Sequence, residues 1–313
     1  MLPWRRDFSS NWDEGFSCGV PEMNKMVPPP GLSMRFYASS DRLRRFVSGF
    51  FISDISDGAR IEDLFLPISP TINFITPQSF WRLRIGASSE RAIPAASIFG
   101  IATEPFRVSY GPCKSIFASL TLAGWAAICA GRADRYANRV TSAATVLRWD
   151  PSPILEMMDA QADDEEVVAL LDGQLSSLIR PHERFGPFVD EVERRLDQGL
   201  SCTAEDLAAV TGMTPRNATR VFNSAIGLGA RVLHRRRRFI IALWDIIQGV
   251  DISEVVGRHG YFDGSHLYKD AQEFLGMGVY DYIKGEVPFI EIMRTMPRGA
   301  QAVWPDAARR RLA

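Results

Sequence analysis

The chain has 313 residues, 46% of them hydrophobic and 23% charged, with a formal net charge of -1 at pH 7. That length accommodates two domains with substantial cores, and the composition is that of a globular chain, which excludes fibrous and low-complexity classes. Near-neutrality excludes a chain that binds nucleic acid through bulk basicity, so any DNA contact must rest on locally placed cations. Cysteines at 18, 113, 129 and 202 are too scattered for a disulfide framework or a structural zinc site, and read as thiols in a reducing cytoplasm. No run of 18 apolar residues occurs, and the opening Met1-Leu2-Pro3-Trp4-Arg5-Arg6 leads into polar residues rather than the apolar stretch of a secretory signal. A cytoplasmic protein without membrane association is expected.

Residues 1–30 are rich in Asn, Asp, Glu, Ser and Gly and end in Pro28-Pro29-Pro30, a pattern that predicts a flexible arm stopped by a stiff proline run. From Gly31 onwards short apolar runs alternate with turn residues. Phe46 to Ile52, Asp63 to Leu66, Ile72 to Ile75, Trp81 to Ile85, Ser97 to Ile101 and Phe106 to Tyr110 all read as strands, with Ile116 to Leu122 as one more. Trp81, Leu83 and Ile85 alternate with polar residues, as do Phe106, Val108 and Tyr110, the period of a half-buried strand. Residues 31–180 are thus predicted to be a β-rich sandwich or barrel-like domain with trailing helices. A short helix or a turn begins at Gly124-Trp125, and helices are predicted from Ser152-Pro153 and over Glu165 to Ile179. Arg180 to Pro187, with two prolines and a glycine, marks the boundary to a second, all-helical domain over 181–285, followed by a tail over 286–313. The fold class is therefore α+β with two domains.

Within the second domain one pattern occurs twice, offset by about 49 residues. In the first copy Leu207, Ala208 and Val210 give a short helix one buried face. Gly212 supplies a tight turn, Thr214 caps the next helix, and Pro215 suits its first position. Arg216, Thr219 and Arg220 then share one face at i, i+3 and i+4, with Asn217 beside them. The second copy has Gly260 at the turn and Asp263 as cap, with Gly264, Ser265, His266 and Lys269 at the matching exposed positions. Helix, turn, helix, twice, is the pattern of a duplex-DNA reader, with arginine able to bind guanine O6 and N7 bidentately. Between the copies, Arg231 to Gln248 carries an apolar stripe of Phe239, Ile240, Leu243, Ile246 and Ile247. It also carries an arginine run in which Arg231, Arg235 and Arg238 are either a solvated, ion-paired face or phosphate contacts. A connecting helix of ~18 residues is about 27 Å long, which suits two reading helices roughly one DNA turn apart.

The residues Leu207-Ala208, Gly212-Met213-Thr214, Arg220 and Phe222, and the run Gly260-Tyr261-Phe262-Asp263-Gly264-Ser265-His266-Leu267-Tyr268-Lys269, resemble the arabinose-regulator (AraC/XylS) family of bacterial transcription factors. The resemblance covers about Phe188 to Tyr282 and aligns Arg238 with the family's connecting-helix arginine. It implies a promoter operator and RNA polymerase as partners. The departures are Ala218 for a leucine, Ala271 for an aromatic, and Gly227-Leu228-Gly229-Ala230 and Gly276-Met277-Gly278-Val279, both lacking the usual Ser/Thr-Pro helix start. A weaker resemblance through Phe99 to Pro105 and Leu122 to Trp125 implies a front domain that binds a small-molecule effector, forms a homodimer, or both.

The DNA-contact set expected from sequence is Arg216, Asn217, Thr219, Arg220, Gly264, Ser265, His266 and Lys269, with Arg235 and Arg238 toward the backbone. The first copy, with two arginines, is expected to dominate specificity. No histidine precedes His182, so a histidine metal cluster in the front domain is excluded; His182 and His234 read as surface residues and His259 as a turn residue. Asp163 to Glu166 suit a helix N-terminus better than a metal, and Cys113 and Cys129 read as packing. Arg82 and Arg84 are candidates for an anionic effector or simply face water. No P-loop, nucleophile elbow or H-E-x-x-H occurs, so neither a cofactor nor a catalytic set is expected. Two rivals stand beside the regulator: an adaptor that uses the double motif for assembly, and an enzyme with a vestigial DNA-binding tail.

Overall fold

A computed structural model describes residues 31–285 apart from 57, 59, 66–68, 78, 181–184 and 199. The arm over 1–30, the tail over 286–313, Cys18 and His182 lie outside the described residues.

The strands among the described residues are β1 (Leu32–Tyr37), β2 (Val47–Ile55), β3 (Ile61–Phe65), β4 (Thr71–Ile75), β5 (Trp81–Ile85), β6 (Arg91–Ala92), β7 (Ala96–Phe99), β8 (Phe106–Tyr110), β9 (Cys113–Leu120) and β10 (Val140–Ser142). They form two antiparallel sheets, in the orders β1-β2-β9-β4-β7-β10 and β3-β8-β5-β6. β5 shows the expected alternation: Trp81, Leu83 and Ile85 are buried while Arg82 and Arg84 are exposed. β2 does not alternate, because its sheet is covered on both faces. Phe50 and Ile52 join a core with the helices, whereas Phe51 and Ile55 join the core shared with the second sheet.

Helices α1 (Leu122–Cys129), α2 (Ala143–Leu147), α3 (Ser152–Asp159) and α4 (Asp164–Leu178) follow or interleave with the last strands. The acidic run starts α4, where Asp163 accepts the Glu165 N–H and Asp164, Glu165 and Glu166 fill the first turn, favourable positions for negative charge. Asp164 is tied by Lys114 and Arg35 back to the sheet, and with Asp54 also on Arg35 the cluster fastens α4 to β1, β2 and β9.

The remaining helices are α5 (Gly186–Asp197), α6 (Ala204–Thr211), α7 (Pro215–Ile226), α8 (Ala230–Ile247), α9 (Ile252–Arg258), α10 (Gly264–Phe274) and α11 (Val279–Lys284). Local chemistry sets their ends. Thr203 and Asp206 form a reciprocal capping box on α6. Gly212 closes that helix at φ 70°, and Thr214 caps α7 through the Asn217 N–H with Pro215 at its first position. α8 and α11 start at Gly229 and Gly278 without a side-chain cap, as the missing Ser/Thr-Pro predicts. One expectation fails: Val210 is 55% exposed. At about 100° per residue it lies past the edge of the face centred between Leu207 and Ala208, and α6 is too short for a broader stripe.

Apolar packing runs across the expected domain boundary at two separate places. α5, α6 and α7 share one core with α1 and the first sheet, with Phe188 edge-on to Phe222. The fully buried Trp125 donates its indole N–H to the Ile226 carbonyl at 2.9 Å, satisfying an orphan acceptor at the C-terminus of α7. The second half of α8, with α9, α10 and α11, joins the core between the sheets, and buried Tyr282 donates to the Leu64 carbonyl at 3.4 Å.

Gly227 caps α7 at φ 87°, and a Cβ there would lie 2.5 Å from the Ala133 carbonyl oxygen in the turn after α1. Gly212 has φ 70° but open space around it. Gly212→Ala should therefore cost only the left-handed backbone penalty of about 1–2 kcal/mol. Gly227→Ala should cost clearly more and loosen α7 from α1, as read by urea unfolding of the two variants side by side.

Candidate nucleic-acid interface

α6-turn-α7 and α9-turn-α10 are the two helix-turn-helix units, and α7 and α10 are their second helices, the ones expected from sequence to read DNA. On α7 the apolar stripe Ala218, Val221, Phe222, Ala225 and Ile226 is buried. The opposite side leaves Arg216, Thr219 and Arg220 exposed and Asn217 half-buried. These four come together as expected, but with internal ties. Arg220 donates to Asn217 Oδ1 at 2.7 Å, so Asn217 orients the guanidinium. The Thr219 hydroxyl donates to the Pro215 carbonyl at 3.0 Å. Arg216 forms no ion pair among the described residues. Ala218, where the resembled family usually carries leucine, is fully buried.

On α10, Leu267, Asp270, Ala271 and Phe274 are buried, while Gly264, Ser265 and Lys269 are exposed. Lys269 likewise forms no ion pair among the described residues. His266 is only partly exposed. Its backbone N–H is capped by Asp263 at 2.8 Å, and Arg238 Nη2 stands 3.2 Å from its Nε2. A guanidinium only donates, so that imidazole nitrogen is the acceptor and is turned inward.

The reason lies at Asp270, whose side chain has no exposed surface. Its Oδ1 accepts from Arg235 at 2.6 Å, and its Oδ2 accepts from Arg238 at 3.0 Å and from the Tyr261 hydroxyl at 3.2 Å. Arg235 also reaches Glu273 at 2.8 Å, and Arg238 stacks over the Tyr261 ring, 4.2 Å from its centroid. The hydrogen bond it donates to Asp270 strengthens the hold of Arg235 on its proton, and burial, then the Asp270 charge, push the Tyr261 hydroxyl well up. Arg235 and Arg238 thus face α10 rather than standing free along the connecting helix. A second knot joins α8 to the end of α9: Asp245 accepts from Arg258 at 3.0 Å and lies 2.9 Å from His259 Nε2. Arg231, at the start of α8, is exposed.

Sequence reasoning passed over Asp270 and Asp245 and gave Tyr261 no role beyond the resemblance. The signal was present: Leu267, Asp270, Ala271 and Phe274 are spaced as one buried stripe, and a carboxylate inside such a stripe requires a cationic partner. In the front region Arg82 pairs with Glu90 at 3.0 Å on the exposed face of β5. Trp81 donates to the Cys113 sulfur at 3.1 Å, and burial pushes the thiols of Cys113 and Cys202 up to about 11 and that of Cys129 well up, the behaviour of packing cysteines. Among the described residues no group of three or more His, Cys, Asp or Glu could hold a metal ion, and no helix is long and apolar enough to cross a membrane.

A family model described as a helix-turn-helix domain matches residues 207–285, the span from α6 to the end of α11. The C-terminal region is an AraC-type helix-turn-helix domain. That match supports a DNA-binding role for this region. No curated protein matches the sequence. Among solved structures, ToxT from Vibrio cholerae is 8% identical, with a TM-score of 0.41 over 81% of this chain and 98% of its own. ToxT from Vibrio cholerae O395 bound to (E)-4-(8-methylnaphthalen-1-yl)but-3-enoic acid is 9% identical, with a TM-score of 0.42 over 83% and 99%. The AraC-like transcriptional activator CuxR is 15% identical, with a TM-score of 0.24 over 68% and 87%. These likenesses are too distant to carry function.

Asp270 yields a direct test of the site's framework. Asp270→Asn leaves two guanidinium groups facing a neutral amide, and removing one partner of a buried ion pair costs about 3–5 kcal/mol. Urea unfolding should show a loss of at least half that size, given the partial exposure of Arg235, together with weaker DNA binding. Glu273→Gln, at the exposed end of the same cluster, should change stability by less than about 1 kcal/mol.

Proposed function

We propose that the chain regulates transcription by setting α7 and α10 into successive major grooves on one face of a promoter operator. The observation that carries this reading is that Arg216 and Arg220 on α7 and Lys269 on α10 are exposed, while the other cations near the second reading helix are tied into Asp270 and Asp245. Arg216, Arg220 and Lys269 form no ion pair among the described residues. Arg216 and Arg220 read bases, with Asn217 orienting Arg220. Thr219, Gly264 and Ser265 line the approach. Arg231 is the phosphate contact of the connecting helix, and Arg235, Arg238 and His266 hold α10 in place. The first unit, with two free arginines, dominates specificity, and the second adds register and affinity.

The β-rich region acts on this reading head through Trp125 and Tyr282. A small-molecule effector would act from between the sheets, where the fully buried Asn73 carboxamide has neither its donor nor its acceptor matched, a costly state that a hydrogen-bonding ligand relieves. Self-association and contact with RNA polymerase complete the proposed scheme.

Binding of duplex DNA, measured across a salt series with a randomised-site selection, tests the assignment. Arg220→Ala should lose about 1–3 kcal/mol on the selected site and relax preference at one base pair. Arg231→Ala should weaken binding to all sequences alike and reduce the salt slope by about one. An Arg220→Ala protein that keeps wild-type affinity and motif contradicts the base-reading role. Binding that ignores salt favours the adaptor reading instead.

A further inference from the structure

Phe262 stands at the entrance to α10 and is 91% exposed, the most exposed of the large apolar side chains among the described residues. The fold offers it a partner it does not take. Phe262 immediately precedes the cap Asp263, and Leu267 occupies the fourth helical position, the pair that forms a hydrophobic staple at many helix starts. Here Leu267 is 2% exposed and committed to the core, while the phenyl ring points to water. Its neighbour Tyr261 is the residue that turns inward, held by Asp270 and Arg238. That anchor sends the next side chain outward. The run from Phe262 to Ser265 is exposed at every position, so the ring stands beside the end of α10 that leads into a groove.

We propose that Phe262 is a specificity residue of the second unit, packing against the C5-methyl group of a thymine in the major groove. The inference rests on the DNA-reading role proposed for α10. A phenyl ring carries no hydrogen-bonding group, and the apolar feature that the major-groove edges display is the thymine methyl. Gly264 adds no side chain between the ring and the bases, and nothing in the fold lies within 4 Å of where its Cβ would be. The second unit, poor in cations, therefore gains a reading element of another kind, selecting A·T over G·C pairs by an apolar contact.

The test uses the full chain and its selected operator. Single thymines are replaced by uracil, which removes only the methyl group, and wild type is compared with Phe262→Ala. Wild type should lose about four- to tenfold in affinity at one thymine in the second half-site. Phe262→Ala should lose a similar factor on the thymine operator and be indifferent to uracil at that position. Phe262→Leu, which keeps an apolar side chain, should retain part of the thymine preference. At so exposed a position the variants should fold as wild type, checked by thermal unfolding. A Phe262→Ala loss that is equal on thymine and uracil operators places the ring against sugar and phosphate and overturns the proposal. Unchanged DNA binding with impaired transcription makes it a protein-contact residue and overturns it also. The reading of α10 itself is tested separately by Lys269→Ala. If that variant binds as wild type and the second half-site shows no base preference, both inferences fail; if the half-site is read but without methyl dependence, only this one does.

Discussion

One buried carboxylate organises the second reading head. Asp270 lies on the inner face of α10, and its two oxygens accept from Arg235, Arg238 and Tyr261. A carboxylate without solvent is tolerable only when its lone pairs are met and its charge is balanced, and here two guanidinium groups from α8 do both. The bond set joins the connecting helix, the turn before α10 and α10 itself into one unit. It also determines what is left over. Tyr261 turns in, His266 is drawn to Arg238, and Gly264, Ser265 and Lys269 remain outside.

The same constraint explains how a region with ten basic and ten acidic residues over 201–290 can face DNA. Net charge sums over groups that have already cancelled each other. Asp270 and Glu273 offset Arg235 and Arg238; Asp245 and Glu254 offset Arg258. The arginines of α7 and the lysine of α10 are not consumed in this way. The two units are consequently unlike. The first relies on α7 backed by an apolar stripe and by Trp125 at its C-terminal end, and the second on an ionic knot. Each unit is also held by a different part of the β-rich region, the first by α1 and the turn after it, the second by β3 and the core between the sheets.

Much of this was legible in the sequence, and the parts that were not share a cause. Helix starts and stops rest on neighbouring residues, so Thr214-Pro215, Gly212 and Asp263 announced them. The alternation of Trp81, Leu83 and Ile85 disclosed a strand with one wet face. The run Phe50-Phe51-Ile52 concealed the opposite fact, since a strand buried on both faces has no alternation to read. Arg235 and Arg238 could not be sorted between phosphate and protein because their partner lies 35 and 32 positions away on another helix. Local spacing shows which face of α8 a residue occupies, not what packs against that face. Trp125 and Tyr282 were invisible as inter-region clamps for the same reason, their partners being 101 and 218 positions distant.

In the proposed function α7 and α10 act as one two-pronged device held by α8 and by the β-rich region. Hydroxyl-radical footprinting of the full chain on its selected operator measures this directly. Two protected clusters on one face of the duplex, about 10 base pairs apart and both lost when five base pairs are inserted between them, are the predicted result. A single protected cluster, or two clusters that tolerate the half-turn insertion, contradicts it.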